Sequence, residues 1–536
     1  MQRIIEQIQG ASFSEEQNQW NHDEFDSFLH PPNEQFHIND PQLRLSLLTY
    51  VSLSAHSSEA TYDAVHRSIK ECYPNSTMLS FNQVRNWLKS LSGILPLHSD
   101  MCPNTCMAFT GIFLTLNKCQ FCGKNRFQKS QQGNSFIPHC QFVTLPIGPQ
   151  LQALWCHPIT VAKLRDRLRR THKALAQRKT ERGIQDYYNI CCRSEYLDLV
   201  ESGNILDNDM LLYVSMDGAQ LYRDKGSDTW FGIASLIDFS PEIRHSREMV
   251  LPLFVIGGPN APKNYDSFLF PTFSHLAACQ RKGLPVWDSS TDTEFTSYPW
   301  FAFGTADTVG MTELNGWVGH YRRNGCRLLC PMPGRHKPGI GVYYPAMLKP
   351  DGPHIPSESN HSDVNINHIA TPSSESYYKK LHHVLASPSV RQYEAQRRDT
   401  GICKPSIIEG LSKTFPIPGC FPVDMMHLGL NLGQLLVSLW QGTIEYSKDD
   451  DPKTWAFAVL YDHQLWQAHG AIVADACLYI PTYIESRTPR NPAEKVLSGY
   501  KAIEYLLYIF GLCPALLYGL LPSDYYHHFC KLVFTF

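Results

Sequence analysis

The stretch that most limits what this chain can become is Leu211–Lys225, LLYVSMDGAQLYRDK. Leu211–Met216 is apolar and bounded, the pattern of a strand buried in a sheet. It ends on Asp217-Gly218, a carboxylate placed where a strand gives way to a turn. Two further strand-like runs follow, Trp230–Phe239 and Glu248–Gly257, and then a helix-like stretch, Tyr265–Arg281. Trp300–Ala306 reads as another short strand and closes on Asp307. Taken singly, each acid has an ordinary explanation, since Asp before Gly suits a turn and Asp at a strand end caps a following helix. Their placement at the ends of the first and fourth strands is what sets them apart.

Three strands, a helix and a fourth strand, with acids closing the first and fourth, is the order of a ribonuclease-H-like α/β core. In that core the two acids meet on neighbouring central strands and hold divalent metal. Strand cleavage and strand transfer both attack a phosphodiester, and two divalent ions activate the nucleophile and stabilise the leaving oxygen. Carboxylates suit such ions, and a cluster of like charges favours Mg²⁺ or Mn²⁺.

The chain has 536 residues, enough for several domains. Its net charge of −3 argues against a uniformly basic coat and leaves a local basic groove open. Seventeen cysteines scattered over this length, with no signal-peptide pattern at the start, point to metal sites and free thiols in a reducing compartment. One apolar run, Tyr505–Pro522, approaches the length of a membrane span. Pro514 interrupts it, so two buried helical segments and no membrane partner are expected.

The most specific local motif is Cys102-x3-Cys106, twelve residues, then Cys119-x2-Cys122-Gly123. Two cysteine knuckles at this spacing supply the four thiolates of a structural zinc ribbon, a closed site with no position for substrate. Cys140 and His139 lie nearby and are not counted as ligands. A second pair, Cys326-x3-Cys330, makes half a site, which His320 or His336 would help complete.

Around these motifs the chain divides as follows. Residues 1–40 are polar and read as a mobile leader, and 41–98 as a small helical domain with a charged outer face. The zinc ribbon spans 99–145. A basic helical linker region covers 146–209 and carries Arg165, Arg167, Arg169 and Arg170, which suit either phosphate contacts or a solvated helix face. The core's first part is 210–348, where Arg223, Lys225, Arg322 and Arg323 are further candidates for DNA-backbone contact. Residues 349–490 read as an insertion of loops and helices, and 491–536 as helices that complete the core and stop short of a cap. Glu504 sits inside an apolar helical pattern there. Asp424 and His427 share one face of an earlier helix.

Asp-Gly-Ala-Gln-Leu-Tyr from Asp217, Gly-Pro-Asn-x-Pro-Lys-Asn from Gly258 and Gly-Cys-Arg-Leu-x-Cys-Pro from Gly325 carry a further signal. With these segments the chain resembles the transposases of CACTA (En/Spm-type) elements, most closely their fungal branch, from about Asp40 onward. The resemblance implies a DDE/D-type catalytic core with a long helical insertion. It implies cut-and-paste DNA transposition at terminal repeats, nuclear localisation, double-stranded DNA as partner and a homo-oligomer. It carries the first acid onto Asp217 and the second onto Asp307; the late-helix position that such a core wants for its third falls on Glu504, with Asp424 as substitute. Cys326 and Cys330 take the place of the family's second cysteine pair, here with three intervening residues and without an obvious later His-x-His. Other readings stay open: a decayed or domesticated DNA-binding copy without catalysis, a metal nuclease without strand transfer, and a zinc-stabilised interaction module without a nucleic-acid role.

Overall fold

The strand at Leu211–Gln220 (β5) lies next to the edge of a six-stranded mixed sheet, with Asp228–Leu236 (β6) antiparallel on one side and the edge strand Trp300–Ala306 (β10) parallel on the other. The computed structural model describes all residues except 14–21, 32, 35–36, 55–56, 131–134, 222–227, 337–341, 344–367, 445–449, 482–487, 497–498 and 536. Leu251–Gly257 (β7) continues the sheet antiparallel to β6. Cys140–Thr144 (β4) and Leu97–Met101 (β1) extend it further, giving the order β1-β4-β7-β6-β5-β10. Phe127–Lys129 (β2) and Phe136–Pro138 (β3) pair separately as a short hairpin. The result is a mixed α/β architecture.

Trp300–Ala306 is buried at every position, as expected of a strand covered on both faces. Its outer edge is not left open: Phe301 and Gly304 donate backbone N–H to Lys413 and Cys420 carbonyls, and Phe415 N–H donates to Phe301. That lining removes the aggregation hazard of a free edge. The connection from β7 to β10 runs through the helix Tyr265–Lys282, begun by an Asn264 cap and ended at Gly283, whose φ of +80° only glycine adopts freely. Between that helix and β10 a hairpin is inserted, Leu284–Asp288 (β8) with Thr293–Ser297 (β9), which periodicity alone did not separate from the flanking runs.

The chain falls into two units, Met1–Pro422 and Val423–Phe536. In the first, residues expected to be a mobile leader form the helix Gln2–Gln9, which buries Ile4, Ile5 and Ile8 in the core. Their spacing is a helical stripe, and the polar residues between them masked it. The helices Pro41–Ser54, Glu59–Cys72 and Phe81–Ser92 form the expected small bundle around Leu47, Tyr62, Met78 and Val84. The stretch expected to be one insertion is divided. Tyr377, Leu381, Val384, Ile402, Phe415 and Phe421 belong to the first unit's core.

The second unit packs helices Met425–Gln441, His463–Ala476 and Ser523–Thr535 around Trp440, Val473, Tyr508 and Phe529. The apolar run tested above for a membrane span is broken here into a π-helical turn, Leu507–Leu512, and a short helix, Cys513–Leu516, with Pro514 in its first turn. Among the described residues no helix is long and apolar enough to cross a membrane.

Candidate functional site

Two groups of side chains carry chemistry in the first unit. The first is a thiol cluster. Cys102, Cys106, Cys119 and Cys122 bring their sulfurs within 4.8 Å of one another, and Cys102 and Cys122 are 3.4 Å apart. Four thiolates about 2.3 Å from one zinc stand about 3.8 Å from each other, so the donor set fits a tetrahedral site. Three of the four residues are buried and Cys122 is exposed. Burial pushes the Cys102 thiol up to about 12 and raises Cys106. The Lys124 backbone N–H beside Cys122 brings that thiol down to about 7. A bound cation overrides the burial penalty, because it needs the thiolates.

The knuckles are held by the sheet and by the segment that follows β7. Lys263 and Asn264 N–H both donate to the Cys106 carbonyl, at 3.0 and 2.9 Å. Ala108 N–H donates to Ser267 Oγ at 2.9 Å, at the start of the helix Tyr265–Lys282. Thr105 takes φ +58°, and its side chain lies so close to Gly258 that a Cβ there would come within 1.8 Å of Thr105 Oγ1. Gly258 is therefore required by close approach, and the Gly-Pro-Asn segment has a structural role in seating the first knuckle. Sequence reasoning marked that segment only through the resemblance. Arg126 clamps the other side, donating to Asp100 at 2.7 Å and to the Leu114 carbonyl at 2.6 Å.

The second group is the pair of acids at the strand ends. In the parallel pairing of β5 with β10, Ser215 stands opposite Thr305 and Met216 opposite Ala306. Asp307 follows β10 directly, whereas Asp217 stays in the sheet: β5 runs on to Gln220 with Asp217 opposite Phe231 of β6, so the turn expected at Asp217-Gly218 does not form there. Asp217 is exposed, and its Oδ1 accepts from Gly218 N–H at 2.7 Å. Asp307 is half-buried and its Oδ1 accepts from Gly310 N–H at 2.7 Å, capping the helix Thr308–Asn315. The cap explanation thus accounts for one oxygen of Asp307; among the described residues the other oxygen of each acid has no hydrogen-bond partner.

A residue that sequence reasoning marked only through the resemblance and as a strand start packs against the glycines that follow the two acids. Trp230 lies opposite Gly218 in the sheet, is buried, and has no partner for its indole N–H among the described residues. A Cβ at Gly218 would come 3.0 Å from the indole, and one at Gly310 would lie 3.6 Å from it. The glycines after each acid therefore leave room for one aromatic wedge. Arg327 adds a cation near the second strand end, donating to the Ala306 carbonyl at 3.1 Å.

Within this unit no third carboxylate, imidazole or thiol joins Asp217 and Asp307 within 4.8 Å among the described residues. Glu504 and Asp424 lie in the second unit. Glu504 is fully buried and accepts from Arg490 N–H, Nε and a terminal nitrogen at 3.2, 2.7 and 2.9 Å, and from Lys501 N–H at 2.9 Å. Four donors fill what two carboxylate oxygens offer. The expectation of a free acid in an apolar helix is corrected accordingly: Arg490 compensates it. Asp424 caps the helix Met425–Gln441 and pairs with the His427 imidazole.

The cationic residues separate as well. Arg167 is buried and donates to Asp238, Tyr196 and the Asp207 and Asp209 carbonyls, so it is an internal tie and not a DNA contact. Burial works against its charge, and Asp238 and Tyr196 override that and raise its pKa. Arg165 and Arg169 are exposed, Arg170 is half-buried, and Arg322 and Arg323 are exposed. Arg223 and Lys225 lie outside the described residues. Cys326 and Cys330 are half-buried free thiols, and among the described residues no third ligand joins them. The Arg335 and His336 side chains lie outside the description.

Compared with known proteins, the chain matches no family model and shows no significant similarity to a curated sequence.

Proposed function

We propose that this chain is a DNA transposase of the cut-and-paste type, built on a ribonuclease-H-like core and acting in the nucleus as an oligomer that holds two DNA ends. The observation that carries the reading is the register of β5 and β10, in which Met216 and Ala306, the residues just before Asp217 and Asp307, stand opposite each other on adjacent parallel strands. Strand order supports it too: three antiparallel strands, a helix, and a fourth strand returning parallel beside the first. Two carboxylates with open oxygens suit hard divalent cations, which take one or two carboxylates and fill their remaining positions with water and substrate phosphate. Mg²⁺ or Mn²⁺ held there supplies an activated hydroxyl nucleophile and a stabilised leaving oxygen. Asp217, exposed, meets the DNA strand; Asp307 is aimed by its hydrogen bond from Gly310. Trp230 keeps the two strand ends at fixed spacing. The cysteine ribbon takes a structural zinc and braces the segment after β7.

The test is Mn²⁺-dependent nicking of duplex DNA by the full chain, and joining of a pre-cut end to a second duplex. Nicking and joining that both vanish in Asp217→Asn and Asp307→Asn support the transposase. Nicking without joining points to a nuclease, and neither activity nor DNA binding leaves the interaction module. A second reading is favoured by one observation: Glu504 is already consumed by Arg490 and Lys501. A core short of its third acid is what a domesticated, DNA-binding and catalytically silent derivative would show, and it predicts duplex binding without nicking.

A further inference from the structure

A cavity of about 600 Å³ opens on the first unit, away from Asp217 and Asp307. Lys163, Arg165, Arg169 and Arg170 supply four cations to its wall, and Asp166 and Glu242 two carboxylates. The cations come from the helix Pro158–Leu164 and the first two turns of the helix Asp166–Arg178, joined at Arg165. That junction is why side chains so close in sequence converge on one hollow instead of spreading around a single helix.

The guanidiniums are held in place before any ligand arrives. Asp166 is buried and gives one oxygen to Arg169 and the other to Arg170. Arg165 is tied to Asp288, which is also buried. A guanidinium has five N–H donors, and a carboxylate occupies one edge of it. Arg170 also reaches Glu242 at 3.8 Å; the parts of the Arg165 and Arg169 forks not held by a carboxylate remain for a second acceptor, and the side-chain entropy of fixing them has been met by folding. Lys163 is exposed and adds a mobile charge at the mouth. Ser240 also lines the cavity, with its side chain hydrogen-bonded to Glu242. Cations outnumber carboxylates and the guanidiniums are pre-aimed, so the complementary guest is a tetrahedral oxyanion. Arg167, next in the same run, is withdrawn into the interior, so the cavity is a selected subset of the basic run and not its average.

We propose that this cavity binds phosphate, and that the phosphate it takes is a phosphodiester of a DNA strand; the second half rests on the nucleic-acid reading above. The cavity then acts as an anchor away from the strand ends, fixing the register of the duplex without reading its bases.

The test uses the full chain and the double variant Lys163→Ala/Arg169→Ala, which leaves Arg170 to satisfy Asp166. An unchanged melting midpoint and cysteine-bound metal content establish that the variant is folded; if it is not, the single variant Lys163→Ala, at an exposed position, replaces it. Duplex affinity is measured against salt concentration. Each phosphate that is no longer neutralised lowers the slope of log K against log salt by about 0.9, so a drop of about 1 to 2 is expected for the double variant and about 1 for the single. Inorganic phosphate is titrated in parallel by calorimetry, and binding that the variant loses is expected. Duplex binding by the parent with an unchanged slope in the variant overturns the proposal and leaves the DNA reading standing. Phosphate binding lost in the variant, with no duplex binding by the parent, overturns the DNA half and assigns the cavity to a free phosphate compound. Phosphate binding retained in the variant overturns the whole.

Discussion

The cysteine ribbon and the acidic strand ends are both sets of anionic ligands, and the chain builds them in opposite ways. The four thiols come from one short segment, converge in a largely buried cluster and use every donor. The two carboxylates come from strands separated by β6, β7, a long helix and a hairpin, and each keeps an oxygen without a partner among the described residues. A closed four-thiolate set stabilises a fold, whereas an open carboxylate pair is available for a substrate's charge. The contrast separates what the ribbon does from what the strand ends do, and each part of it can be broken by experiment.

The largest effect is expected at the ribbon. Cys102→Ser or Cys119→Ser should abolish stoichiometric zinc, read by atomic absorption, and unseat the segment after β7. Structural zinc contributes on the order of 10 kcal/mol in isolated finger peptides, so the melting midpoint should drop steeply, and a strong chelator should have the same effect on the parent. A melt that is unchanged with zinc lost would erase the contrast, leaving the ribbon an ornament on a self-sufficient core.

At the strand ends the expectation is inverted. Asp217→Asn should cut Mn²⁺-dependent nicking by about a thousandfold or more, comparable to removing a principal electrostatic stabiliser, with the melt held or slightly raised. Asp307→Asn should lose the same activity and also some stability, because the amide is a poorer partner for the Gly310 N–H at the helix start. A substitution at Asp217 that destabilises the fold as much as one at Cys102 would show that the acid is structural.

The two regions also differ in how much of them could be read beforehand. The thiol spacing is local, so periodicity and turn chemistry exposed it in full. The strands bearing the acids were legible in part: Trp300–Ala306 has the bounds its apolar run implied, whereas the strand begun at Leu211 runs past the expected turn at Asp217-Gly218 to Gln220. What could not be read was compensation over distance. Nothing near Glu504 in sequence marks Arg490 as its partner, and nothing near Arg167 marks Asp238. A lone buried charge looks alike in sequence whether a metal, a cation or a carboxylate answers it. The helix Gln2–Gln9 failed for another reason: three isoleucines among polar residues form too short a stripe to outweigh composition.

Arg167 offers a direct check on that distinction. Both it and Asp238 are buried, and the arginine also ties the Asp207 and Asp209 carbonyls next to the start of β5. Asp238→Ala should cost about 3–5 kcal/mol by leaving an uncompensated cation inside, measured by denaturant unfolding. Arg169→Ala, whose partner Asp166 keeps Arg170, should cost well under 1 kcal/mol, since its side chain is 77% exposed. Equal losses would mean that the basic run is one structural unit, with no division between interior tie and phosphate-facing wall.

The smallest effect separates Glu504 from Asp217 by pH. Burial alone would raise the Glu504 pKa; hydrogen bonds from Arg490 and the Lys501 N–H, with the Arg490 charge, bring it instead to about 2, below its ordinary value of 4.5. A carboxylate whose folded pKa lies below its unfolded one contributes stability that is fully present above the unfolded value. That contribution therefore holds from neutral pH down to about 5, is lost progressively as the pH falls from there toward 2, and is absent below both values. Unfolding of the full chain, followed by a probe in the second unit, should show that acid-side loss, and Glu504→Gln should flatten it while lowering stability at pH 7. An unflattened profile would mean that other acids govern the transition and that Arg490 does not hold this carboxylate. Glu504 would then again be free to act as a ligand.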